Sequence, residues 1–188
     1  MLTPMNVWAY LAFVGMALAY AGYMRVSSTK KNPSVDERQD PRKHWVQAAI
    51  ALYQGDVGDA GHWSGNKARE LLKNGWSTTT REELLELIQT YITGECNMGF
   101  DKLRIIWLAR LGRGAGWLDE QTSWGYAFPA MAELQRTYGS WPELFQAMKA
   151  GREQWYGGAD QVPAGTLKLN DRALAYASKQ FFQQVPYR

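Results

Sequence analysis

"GFDKLRIIWLARLGRGAGWLDEQTSW", residues 99–124, decides the fold. Charged groups and glycines are mixed with large apolar side chains. The stretch is therefore either a charged site with a glycine-rich loop or the centre of a helical core. A helical wheel of ~100° per residue separates the two readings. From about Phe100 to Leu111, the residues Asp101, Arg104, Ile105, Leu108 and Leu111 share one face, while Leu103, Ile106 and Trp107 occupy the others. A helix that is apolar nearly all round is expected to be central and buried. Asp101 and Arg104 are i,i+3 neighbours and can pair, which matters because an isolated buried charge is costly. "GRGAG" then offers glycines for a C-cap, and Asp119 is placed to N-cap the next helix, with Glu120 at its positive end.

Outward from this centre the pattern stays helical. The next helix is expected over about Glu120–Tyr138, with Pro129 kinking it or marking its true start. Ser140 and Glu143 have capping-box spacing, with Pro142 in the tolerated first turn of another helix. Asn170 is the expected cap of a last one. Upstream, Thr80 and Glu83 form a second capping box, followed by an apolar stripe of Leu84, Leu87, Ile88, Tyr91 and Ile92 ended by Gly94. "NKARELLKNG" is a short helix with Gly75 as its C-cap. "RKHWVQAAIALYQ" carries Trp45, Ala48, Ala49 and Leu52 at helical spacing. No strand-turn-strand pattern and no repeat is present. The expected fold class is all-α: a compact multi-helix globular domain over residues 42–188.

A single N-terminal transmembrane helix is expected in front of that domain. No charged side chain precedes Arg25, and the stretch from Val7 to Met24 is mostly apolar. As a helix it would be about 27 Å long, near the hydrocarbon thickness. Trp8 and Tyr10 lie near one end and Tyr20 and Tyr23 near the other, as interfacial rings do. A signal peptide cleaved near residues 17–21 is the competing reading, against which stand the missing basic n-region and the length of the apolar run. Residues 1–26 are thus read as an anchor in the lipid bilayer and residues 27–41, polar with two prolines, as a linker. Arg25, Lys30, Lys31, Arg38, Arg42 and Lys43 follow the span, which places the C-terminal domain on the cytoplasmic side of the membrane. Small residues at Gly15/Ala19 and Ala17/Ala21 would permit self-association through the anchor.

Composition bounds the chemistry. The net charge of +3 is too mild to argue for nucleic acid, which is not expected as a partner. The single cysteine, Cys96, excludes an internal disulfide and a cysteine-rich zinc site. Asp56, Asp59 and His62 have a metal-compatible spacing, but Gly55, Gly58 and Gly61 argue for a loop there. "GRGAG" follows a helix rather than a strand and is no dinucleotide fingerprint. No metal or other cofactor is expected. Nine tryptophans and ten tyrosines are a heavy aromatic load, suited to a core or to a partner surface.

Three stretches, "STTTREELLELIQTYITGE", "FDKLRIIWLARLGRGAGWLDEQTSW" and "YGSWPELFQAMKAGREQWYGG", occur in that order. Together they resemble bacterial domain-of-unknown-function family 1266, typified by the YbeR and YbeU proteins. The family pattern falls here on Asp101, Arg104, Leu108, Ala109, Arg110, Gly116, Asp119 and Trp124, then on Ser140, Trp141, Gly151, Arg152 and Trp155. It covers roughly residues 65–158. Where the pattern has a histidine after the helix-ending glycine, this chain has Glu95. The resemblance implies a mostly helical domain and brings no known reaction.

The functional expectation is a non-catalytic protein-interaction module at the membrane, suited to neutralising a toxin or regulating a membrane complex. Trp117, Trp124, Trp141 and Trp155 are its candidate partner-binding residues. The alternative is an enzyme or anion-binding domain using Asp101, Arg104, Arg110 and Asp119. Exposure separates the two, because a sealed and paired Asp101–Arg104 speaks against an open catalytic pocket.

Overall fold

A computed structural model describes residues 40–55, 62–94, 98–179 and 185–188. The expected anchor and nearly all of the linker lie outside the described residues. Among the described residues there are seven α-helices, a short 3-10 turn at Ala159–Gln161, and no strand. Among them, too, no helix is long and apolar enough to cross a membrane.

Asp40 accepts the Arg42 backbone N–H and caps α1, Pro41–Gln54, so Pro41 belongs to the helix rather than to the linker. α1 is more central than its apolar spacing suggests, being buried continuously from Trp45 to Gln54. α2, Gly65–Trp76, runs straight through Gly75. Its end is Ser77 in the left-handed region at φ 54°, because the next residue, Thr78, is buried and bonds back to the Leu72 carbonyl. In α3, Arg81–Thr93, the Thr80–Glu83 box is complete in both directions. Leu84 and Ile88 of its stripe are buried, whereas Ile92 is 40% exposed.

α4, Met98–Gly114, is the central helix, packed against α1, α2, α3 and the two helices that follow it. It extends beyond the apolar wheel because Gly112 lets it approach α3 closely: a Cβ there would lie 2.5 Å from Leu84 Cδ2 and 2.8 Å from Leu118 Cδ1. The helix ends in a Schellman turn at Gly116, φ 76°, where the Trp117 N–H reaches the Gly112 carbonyl and the Gly116 N–H reaches Arg113. Arg69 and Arg81 donate to the carbonyls of Ala115 and Trp117, placing cations at the negative end of α4.

Asp119 caps α5, Glu120–Thr137. Pro129 sits inside this helix and does not mark its start, since the Asp119 side chain already fixes the first turn by accepting the Thr122 N–H. In α6, Trp141–Tyr156, Ser140 accepts the Glu143 N–H, while the Glu143 carboxylate returns to the Gly139 N–H. α7, Ala164–Lys179, starts well before Asn170. Asn170 is therefore no cap: it is buried within the helix, whose first N–H groups fold back on the Pro163 carbonyl.

The core runs from α1 across α4 to α5 and α6 and is closed by the C-terminal tail. Trp45 and Trp141 stack at 4.7 Å. Their indole N–H groups donate to the carbonyls of Tyr187 and Val185, and the Tyr187 hydroxyl donates to Leu134. Buried indoles need such partners, and the tail supplies them.

Candidate functional site

Two guanidinium centres lie on α4. Arg104 and Arg110 are six positions apart, about 9 Å of helical rise, and they face different neighbours. The sequence-predicted cluster of Asp101, Arg104, Arg110 and Asp119 is thus divided between two places.

In the first centre, Arg104 Nη1 donates to Asp101 Oδ1 and to the Tyr91 hydroxyl, each at 3.2 Å. The expected i,i+3 ion pair is present. Its guanidinium lies 4.0 Å from the Phe100 ring centroid, 4.4 Å from Trp155 and 5.4 Å from Tyr91. Arg104 is 4% exposed, yet Trp155 over it is 42% exposed. A sealed cation therefore supports an aromatic ring at the surface, where α3 and α6 both end. Burial raises the Tyr91 hydroxyl pKa, against the lowering effect of the Arg104 charge. That phenol stays protonated near neutral pH and serves as a hydrogen-bonding group.

In the second centre, Arg110 is fully buried. It donates to Glu120 at 3.3 Å and to Ser123 at 3.1 Å, and its guanidinium lies 3.7 Å from the Trp124 ring centroid. Arg113 Nε donates to the other Glu120 oxygen at 2.7 Å, and the Trp124 indole N–H also donates to Glu120. Burial acts to raise the Glu120 pKa, but Arg110, Arg113 and Trp124 together hold it below the ordinary glutamate value. The Ser123 hydroxyl in turn donates a hydrogen bond to the Ala109 carbonyl. This network ties the start of α5 to the middle of α4. Asp119 stands outside it as an exposed cap whose pKa the Thr122 N–H lowers.

The four tryptophans separate by depth. Trp124 and Trp141 are 6% and 5% exposed and belong to the core, the first against Arg110 and Phe128 and the second against Trp45 and Tyr187. Neither ring lies on an outer surface, and each indole N–H has a partner within the chain. Trp117 is half-buried in the turn after α4. Trp155 remains as the exposed one, with Ile92 next in sequence to Tyr91 as a second exposed apolar group. Of the possible metal ligands, Asp56 and Asp59 lie outside the described residues and His62 is exposed. Among the described residues, no group of three His, Cys, Asp or Glu side chains is placed to hold a metal.

Sequence reasoning assigned no role to Arg152, which is buried at 4% exposure. Its only signal was a place in the Gly-Arg-x-x-Trp element at residues 151–155. The third buried cation of α4 that pairs with a carboxylate, Lys102, bonded to Glu133 at 2.8 Å, was also not singled out.

No curated protein and no solved structure matches the chain. A family match, described as "Protein of unknown function (DUF1266)", spans residues 19–180, reaching beyond the 65–158 block on both sides. The chain belongs to the DUF1266 family.

Proposed function

We propose that the chain is a non-catalytic interaction module, held at the inner face of a bacterial cytoplasmic membrane by residues 7–24. It binds a protein partner through the surface around Trp155. The observation that carries this reading is Trp155 itself, a large exposed ring braced from below by the buried Arg104. Rigid, partly exposed aromatic groups with a prepaid geometry are typical anchors of binding surfaces. The enzyme reading draws no support from the centres on α4. Asp101 is engaged by Arg104, Arg110 is engaged by Glu120 and Ser123, and Asp119 is spent on a helix cap.

The test is site-specific photocrosslinking in the membranes of the native host, with the crosslinker at position 155 and, as a control, at exposed position 86. A discrete adduct at 155 that is missing at 86 is expected. Equal labelling at both positions would sink the interaction reading. Membrane association of the full chain, and its loss on deleting residues 1–26, tests the anchor separately.

A further inference from the structure

Arg152 differs from the other buried cations. Lys102, Arg104 and Arg110 each meet a carboxylate. Among the described residues, Arg152 donates to neutral acceptors alone: Asn170 Oδ1 at 2.5 Å, the Tyr53 carbonyl at 2.8 Å and Met148 Sδ at 3.9 Å. The rings of Tyr53 and Phe100 lie 5.2 and 5.5 Å from its guanidinium and offset part of the charge. The full positive charge is nevertheless buried without an ion-pair partner among the described residues, an arrangement that proteins ordinarily avoid.

The surrounding unmet groups have the same polarity. Asn170 turns its oxygen to Arg152, which fixes the orientation of the amide because a guanidinium can only donate. Its Nδ2 is then left buried with no acceptor. Gln54 Nε2, on the residue after Tyr53, is likewise buried without one. The end of α1 and this part of α7 are in close contact, since a Cβ on Gly55 would lie 2.9 Å from the Leu169 carbonyl. A buried cation and two donors with nothing to bond to, brought together where α1, α6 and α7 meet, call for an acceptor that carries negative charge. Water would meet the donors and leave the charge.

We propose that Arg152, Asn170 and Gln54 form a buried binding site for a small oxyanion, a phosphate or a carboxylate. A guanidinium suits either, and the amide N–H groups of Gln54 and Asn170 are buried donors with no acceptor of their own. This site is separate from the Trp155 surface and does not depend on the interaction reading.

The experiment uses the full chain in detergent. Its thermal unfolding midpoint is followed at constant ionic strength as chloride is replaced by inorganic phosphate or by acetate, and anion released on denaturation is assayed in the same samples. A saturable rise is expected, about 5 °C or more at a hundredfold excess over Kd, or else stoichiometric release of an anion already bound. A response to one of the two anions identifies the class. Arg152→Gln should abolish the response. Asn170→Asp keeps the shape and places a carboxylate beside the guanidinium. It should raise the midpoint in chloride and remove the response, which keeps the test decisive if Arg152→Gln does not fold. A wild-type midpoint indifferent to the anion, with none released, overturns the proposal. So does an anion response that survives in Asn170→Asp, which would mark an adventitious ion elsewhere.

Discussion

Arg110 and Arg104 occupy the same helix, are both sealed from solvent, and both pair with an acid, yet they do different work. Arg110 faces inward to the joint between α4 and α5, where Glu120, Ser123 and the ring of Trp124 surround it. Arg104 faces the ends of α3 and α6, where Tyr91, Phe100 and the exposed Trp155 surround it. In one centre the aromatic ring is buried with the cation, and in the other it reaches the surface. The same residue types thus fix a helix joint in one place and hold an exposed aromatic ring in the other. What separates them is the depth of the ring rather than the ion pair.

The largest effect expected from breaking this comparison belongs to Arg110→Ala. It removes a fully buried side chain, leaves a cavity beside Trp124 and takes away the donor that satisfies Ser123 Oγ. A loss of about 4 kcal/mol in chemical denaturation is expected, in the range for a broken buried pair with a large-to-small change. A loss below about 1 kcal/mol would mean that the joint does not depend on this network.

Arg104→Lys sharpens the contrast at the second centre. Lysine keeps the charge and can still reach Asp101, but it loses the planar stack under Phe100 and Trp155. About 1–2 kcal/mol of stability should be lost. Crosslinking from position 155 should fall further than that loss alone would produce, because the indole is no longer braced. A stability loss as large as that of Arg110→Ala, with crosslinking unchanged, would make Arg104 a structural residue only.

The central helix, its Asp101–Arg104 pair and the Asp119 cap were legible in the sequence because each is a local pattern, an apolar wheel, an i,i+3 spacing or a cap three residues from its target. The misreadings share a different origin. Gly75 and Asn170 carry strong local cap signals, and tertiary demands override both: Thr78 fixes where α2 reverses, and Arg152 draws Asn170 into the core. The depth of Trp141 was hidden for the same reason. Its indole partner is the Val185 carbonyl, which comes from the far end of the chain. No spacing rule announces a contact of that range.

The smallest effect concerns Glu120, which is 44% exposed through its side chain and so only partly shielded from solvent. Its pKa is lowered in the folded chain, so the stabilisation it contributes is present above its unfolded pKa and is lost as the pH falls through the folded value. Unfolding stability should therefore decline as the pH drops below about 4, and Glu120→Gln should flatten part of that slope. The indole N–H resonance of Trp124, which donates to this carboxylate, should shift over the same range while the fold is still intact. In Glu120→Gln that shift should disappear, because the carboxylate beside the indole is gone. A Trp124 shift that persists in Glu120→Gln would place the titrating group outside the joint, and the network around Arg110 would no longer account for the pH dependence.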